Sequence, residues 1–354
     1  MKKYQIVEIS GNLNHAGTKA TADIALIAEK MGFQPLSIKI DTSETNAVGK
    51  LKKQLGYYTD WKHALNTIEN NSVVILQHPF HHKQLTREKV LYQLKKKGIS
   101  FISFVHDVEE LRVYRYNEYY HHEYETMLHL ADILIVHNGV MKQWFIEKGI
   151  PEDKLISLGV FDYLQKYESV TPLFDRSITV AGNLDIEKSG YIGELGKLKN
   201  IRIHLYGPNF SENLKSNSNI EYHGSFPSDE IPRQLNKGFG LVWDGNSVYG
   251  CTGASGQYLK YNNPHKLSLY LSSGLPVVIW KDAAEAEYVR SHHLGICVDN
   301  LDELNSIFAK MTEDDYKVFL DNVSRVRKEF CSGVNTEKAL NSALVRLNEL
   351  MITD

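Results

Sequence analysis

Ser100-Phe101-Ile102-Ser103-Phe104-Val105-His106-Asp107-Val108-Glu109 carries the pattern on which the fold turns: a short apolar run stops abruptly in polar, chemically capable side chains. Six residues of this kind suit a strand buried on both faces and are too few for a core helix. A helical pattern follows at 118–131 and a further strand at 133–136, so a crossover helix carries the chain to a parallel neighbour. Working outward, the same alternation holds on both sides. The spacing predicts strands at 4–9, 35–40, 73–77 and 155–158, with helices at 18–31, 51–67, 86–97 and 143–148. A second series has strands at 177–181, 201–205, 220–223, 239–243, 276–279 and 295–298, with helices at 265–273 and 283–292. The fold class is α/β, with parallel sheets and crossover helices.

At 354 residues the chain is long enough for two domains. The segment 167–175, with Pro172, lacks either periodicity and reads as the linker. The expected division is 1–170, then 171–334, then a helix over 335–354. That helix carries the stripe Leu340, Leu344, Leu347 and Met351, with Asn335 as its cap, and is expected to pack back toward the first domain.

In open parallel sheets ligands bind beyond the carboxyl ends of the strands. The polar groups of this chain fall there. They are Gly11 to Gly17 with His15, His78-Pro79-Phe80-His81-His82, His106-Asp107-Val108-Glu109, His137-Asn138-Gly139, Gly182-Asn183, Tyr206-Gly207-Pro208-Asn209 and Asp244-Gly245-Asn246. Seven groups in register imply two sheets whose active edges face each other.

Composition narrows the function. A net charge of −3 gives no sign of a nucleic-acid partner, and Lys95-Lys96-Lys97 closes a helix, where cations are favoured. The first residues are too short and mixed for a secretion signal, and no apolar run approaches the roughly 20 residues of a membrane span. Cys251, Cys297 and Cys331 are too far apart for a disulfide framework or a zinc knuckle. A cytoplasmic location is therefore expected. His78, His81, His82, His121 and His122 invite a metal reading, but the adjacent pairs project in different directions, so no metal is expected.

Neither G-x-G-x-x-G nor G-K-[ST] occurs, which leaves dinucleotide redox chemistry and standard ATP hydrolysis unsupported. What remains is a helix N-terminus. Asn262-Asn263-Pro264-His265-Lys266 opens a helix whose first-turn N–H groups would meet an anion, with Lys266 beside it. A capped surface helix with an incidental lysine is the alternative reading.

Gly182-Asn183 with Lys188-Ser189-Gly190-Tyr191, then 239–243 (FGLVW), then 258–266 (YLKYNNPHK) running into 272–277 (SSGLPV) resemble one bacterial family. It contains β-1,6-galactofuranosyltransferases of polysaccharide synthesis and the second-step glucosyltransferase that extends N-acetylglucosamine on serine-rich-repeat adhesins. The resemblance covers most of the chain, densely from 177 to 298 and loosely before 73. It implies a GT-B fold of two Rossmann-like domains facing each other across a cleft, the second holding a UDP-sugar and the first presenting the acceptor. Carried onto this chain, Lys266 and the helix behind it would neutralise the donor diphosphate, with Asn263 and His265 also among the nucleotide-sugar-binding residues. Asn183 and Lys188 would lie near the phosphates or the transferred sugar, Tyr206 near the nucleotide, and Glu287 at the ribose hydroxyls. In the glucosyltransferase branch a basic residue follows Gly-Asn more closely than Lys188 does here.

No bound metal or other cofactor is implied, since a helix dipole and a lysine take that place at the leaving group. The expected reaction is hexosyl transfer, inverting, to a glycoprotein or lipid-linked saccharide acceptor. Peripheral membrane association is left open and a homo-oligomer is expected. Inversion needs a group to take the acceptor proton. Asp107, at a buried strand end, comes first and His15, in a glycine-flanked loop, second. A helix-capping aspartate is the other reading of Asp107. Two other functions stay open: a non-catalytic nucleotide-sugar-binding partner subunit, and a sugar-nucleotide epimerase.

Overall fold

Each half of the chain builds a six-stranded sheet in which every pair is parallel. A computed structural model describes all residues except 11–15, 41–45, 114, 168–169 and 354. The first half runs β1 (Lys3–Ser10), α1 (Ala16–Lys30), β2 (Gln34–Ile40), α2 (Ala47–Thr67), β3 (Val73–His78), α3 (Arg87–Lys96), β4 (Ser100–Val105), α4 (Glu109–Arg112), α5 (Glu118–Leu130), β5 (Ile133–Val136), α6 (Gly139–Glu147) and β6 (Leu155–Ser157). Its strand order is β2-β1-β3-β4-β5-β6. Helices cover the faces, so β3, β4 and β5 are apolar and buried almost throughout, with Val73 to Leu76 and Ile133 to Val136 sealed from solvent. Trp61 on α2 and Phe101 on β4 are fully buried in the same core.

The second half runs β7 (Leu173–Ala181), α7 (Tyr191–Glu194), β8 (Arg202–Tyr206), β9 (Ile220–Tyr222), β10 (Lys237–Val242), α8 (Gly253–Tyr258), α9 (His265–Ser273), β11 (Val277–Trp280), α10 (Ala286–Ser291), β12 (Gly295–Val298), α11 (Glu303–Lys310), α12 (Glu313–Ser332) and α13 (Val334–Thr353). The order here is β12-β11-β10-β7-β8-β9. Helices α11 and α12 are not among those expected from the sequence, although Thr312 and Asp315 cap α12 reciprocally and Gly333, at φ 86°, ends it.

Two compact units result. One comprises Met1–Leu111, Arg115–Leu158 and the chain from Thr336 on; the other comprises Gly159–Asn335 with the short piece that begins at Arg112. The changeover falls at Leu158/Gly159, ahead of the 167–175 segment read as the linker. The reason is hydrogen bonding. Asn263 donates to the Gly159 carbonyl, Ser268 to that of Phe161, and the Tyr163 amide to that of Phe330, which secures residues 159–163 to the second unit. Leu173 also pairs with Lys237, so β7 begins four residues before the expected 177. Asn335 donates to Asp162 Oδ1 through its amide and its side chain. From Thr336 on, α13 belongs to the first unit, where Arg346 donates to the carbonyls of Glu152, Asp153 and Leu155. Among the described residues no helix is long and apolar enough to cross a membrane.

Candidate active site

The strand order of the second sheet reverses direction between β10 and β7, the point at which an open parallel sheet takes its ligand. The residues leaving those strands are Gly182-Asn183 after β7 and Trp243-Asp244-Gly245 after β10. Helix α9 starts there as well. Pro264, at its cap position, has no side-chain acceptor to offer the first-turn amides. Lys266 spans the two strand ends. Its Cε lies 3.5 Å from where a β-carbon on Gly182 would stand, and its Nζ is 3.4 Å from the Trp243 carbonyl oxygen.

Tyr270, one turn further along, seats the helix. Its hydroxyl accepts the Ala181 amide at 2.8 Å, and its ring fills the space beside Gly240, where any β-carbon would collide with it. Burial raises the Tyr270 phenol far above its ordinary range, so it stays protonated. The loops interlock too. Asp244 Oδ1 accepts from the Gly245 amide at 2.8 Å and from Ser189 Oγ at 3.2 Å, and the Gly245 carbonyl accepts the Tyr191 amide.

The other expected residues divide by depth. Asn263 is buried, and the His265 ring stacks on Tyr163 with centroids 5.0 Å apart, so both hold the start of α9 in place. Asn183 is exposed, its Oδ1 accepting from Asn209 Nδ2 at 2.8 Å and from the Asp185 amide; Lys188 is exposed nearby. Tyr206 lies beneath this surface. Its hydroxyl donates to the Gln234 carbonyl, its ring stacks on His223, and burial pushes the phenol up to about 12. Glu287 faces solvent and pairs with Arg290 at 2.5 Å, whereas Glu285 is 4% exposed. Asn183, Lys266, His265 and Asn263 thus share the strand ends, and Glu287 stands on the outer surface of α10.

In the first unit Asp107 follows β4 and lines a small pocket with His78, Glu109, Tyr120 and Glu123. His78 is 3% exposed. Its Nδ1 is 2.9 Å from Glu123 Oε1, and its Nε2 has no hydrogen-bond partner among the described residues. Burial would raise the Glu123 carboxyl, but His78, Arg87 and the Phe80 amide hold it below its ordinary value. Glu8 goes the other way: burial, opposed by Arg87, raises it to about 7. His106 Nε2 meets Gln77 Oε1 at 2.7 Å, and buried His137, lowered to about 4, donates to the His106 carbonyl. Asn138 is the N-cap of α6, accepting the Met141 amide at 2.9 Å, so one of the seven polar groups owes its place to helix capping. His15 lies outside the described residues.

The N-terminal domain model of the glucosyltransferase 3-like proteins matches residues 3–160, and the C-terminal domain model matches 178–343. The β-1,6-galactofuranosyltransferase WbbI of Escherichia coli K12 is 33% identical over 75% of this chain and 77% of its own. The chain belongs to the glucosyltransferase 3-like family. Glucosyltransferase 3 of Streptococcus gordonii is 27% identical over 87% of each chain. Among solved structures, a Rickettsia africae glycosyltransferase has a TM-score of 0.60 at 15% identity, covering 98% of this chain and 99% of its own. Anabaena Alr3699/HepE, solved with UDP and glucose, has a TM-score of 0.60 at 12% identity over the same shares. The fold is that of the GT-B glycosyltransferases.

Three features of this glucosyltransferase 3-like chain are absent from the sequence reading: the Tyr270 seat, buried Glu285, and the network of His78, Glu123 and Arg87. A signal for the first exists. Glycine inside a strand, as at Gly240, marks a close approach, and Tyr270 follows Lys266 by one helical turn. Nothing local marks the network, in which Glu123 stands 45 residues from His78 and 36 from Arg87.

Proposed function

We propose that this chain transfers a hexosyl unit (glucose, N-acetylglucosamine or galactofuranose) from a UDP-sugar to a sugar acceptor, with inversion at the anomeric carbon. The acceptor class is N-acetylglucosamine on a serine-rich-repeat glycoprotein, or a polysaccharide precursor. The reading rests on one observation: Lys266 and the start of α9 stand together at the reversal point of the second sheet. A diphosphate there meets a cation, backbone donors and the positive end of a helix, which stabilise the charge developing on departing UDP without a metal ion. Asn183 and Lys188 are assigned to the phosphates or the transferred sugar. Asp107 is assigned the acceptor proton, with His15 second. The relatives WbbI and glucosyltransferase 3, and the HepE complex with UDP and glucose, support the donor class.

The test is a donor screen with purified chain. UDP-glucose, UDP-N-acetylglucosamine, UDP-galactose and UDP-galactofuranose are each offered with an acceptor bearing N-acetylglucosamine, with and without EDTA. One donor should support transfer, and added Mg²⁺ or Mn²⁺ should not be needed. UDP binding without turnover of any donor would instead show a non-catalytic partner, and donor interconversion without acceptor would show an epimerase.

A further inference from the structure

The second sheet ends on β9, an edge strand of three residues. His204 on β8 pairs in parallel register with Glu221 on β9, and His223, two residues beyond Glu221, projects to the same face. Three ligand atoms converge. His204 Nδ1 is 3.0 Å from His223 Nε2 and 3.4 Å from Glu221 Oε2, and His223 Nε2 is 3.8 Å from Glu221 Oε2. With metal–ligand bonds of about 2.0–2.2 Å, the edges of a coordination tetrahedron measure about 3.3–3.6 Å, so these separations already bracket one.

We propose that His204, His223 and Glu221 bind one divalent transition-metal ion of the Zn²⁺ class, which clips edge strand β9 to β8. The donor set of two imidazoles and a carboxylate suits Zn²⁺, Co²⁺, Ni²⁺ or Cu²⁺ and not Mg²⁺ or Ca²⁺, which prefer oxygen throughout. The surroundings are arranged for it. Asp175 Oδ2 lies 3.2 Å from His204 Nε2, so the proton sits on that nitrogen and Nδ1 turns its lone pair toward Glu221 and His223. The Tyr206 ring, stacked on His223 with centroids 4.6 Å apart, fixes the plane of that imidazole. His204 is 2% exposed and Glu221 62%, so an ion enters from the solvent side, where a water completes the coordination. Strand register assembles this cluster from residues 17 and 19 apart. For that reason the Cys and His spacing of the sequence, from which no metal is expected, does not disclose it.

Untagged, chelator-stripped full-length chain titrated with Co²⁺ tests the site. One equivalent should bind with the visible bands of tetrahedral Co²⁺, Zn²⁺ should bleach them, and Zn²⁺ should raise the melting temperature. Glu221→Ala and His223→Ala should each weaken binding at least tenfold, and Asp175→Asn by about 10–100-fold, the scale for a group that orients a ligand. The double variant of His121→Ala with His122→Ala, exposed histidines paired to Glu110 and Glu88, should titrate like wild type. Absence of the bands in wild-type protein would overturn the proposal whatever the variants do. So would bands that persist when Glu221 and His223 are both replaced.

Discussion

Lys266 runs past Gly182 so closely that a β-carbon on the glycine would touch its Cε at 3.5 Å. One residue from the end of β7 and one from α9, 84 positions apart, thereby define the mouth of the second sheet. The glycine also adopts φ 142°, which few other residues tolerate. The ammonium is held between this glycine and the Trp243 carbonyl, and no carboxylate is paired with it in an ion bridge among the described residues. Its charge is therefore available to an anion.

Lys266→Ala should weaken UDP binding by roughly 1.5–3 kcal/mol, the range for a hydrogen bond to a charged group. Backbone donors at the start of α9 should preserve part of the affinity. Calorimetry decides it: equal affinity in wild type and variant would remove Lys266 from the site.

Gly240→Ala drives a methyl group into the Tyr270 ring. Overpacking of this kind costs about 1–3 kcal/mol, and here it should also shift α9 and with it Lys266. A loss of both denaturant stability and UDP affinity is expected. Wild-type values for both would mean that Tyr270 does not seat the helix as closely as described.

Asp107→Asn keeps the size of the side chain and deletes its basicity. If Asp107 takes the acceptor proton, kcat should fall about 10²–10⁴-fold while UDP affinity barely moves. Thermal melts must accompany the kinetics, because a variant that only unfolds points to helix capping. If His15→Ala abolishes turnover while Asp107→Asn loses under tenfold, the two roles are exchanged.

Glu8→Gln should change how stability responds to pH. The Glu8 carboxyl rises from 4.5 to about 7 on folding, so the native state holds its proton more tightly than the unfolded chain. The stability this confers is complete below about pH 4.5 and is lost as pH rises through 7. The variant carries no such titration. Relative to wild type it should gain up to about 3 kcal/mol between pH 4.5 and 8, since a tenfold change in proton affinity is worth about 1.36 kcal/mol. Urea unfolding at pH 5 and pH 8 measures it, and an equal difference at both would refute the assignment.

Much of the architecture was legible because its signals are local. A six-residue apolar run bounded by polar groups identifies a strand buried on both faces, and Ser100–Val105 is β4 without change of boundary. Helix α9 likewise spans His265–Ser273 as expected, since Pro264 and Gly274 mark its two ends. Its neighbour α10 is shorter than the expected 283–292, because Ala283 and Ala284 bond to Trp280 and Leu259 in a turn. The 167–175 segment misleads for a related reason: Leu173 to Asp175 join β7 through pairing with a strand more than sixty residues away, which no local pattern reports.

The sequence by itself determined that two parallel α/β sheets form and that Lys266 opens a helix near strand ends, because hydrophobic period and turn chemistry act within a few residues of each position. Only the tertiary structure decided what stands beside what. Register set His204 opposite Glu221, the absence of a β-carbon at Gly240 let Tyr270 come down on the sheet, and packing buried Glu285 while leaving Glu287 in water. Such placements depend on distances between residues far apart in the chain. They arise when apolar faces close on one another, and the order of side chains along the backbone does not contain them.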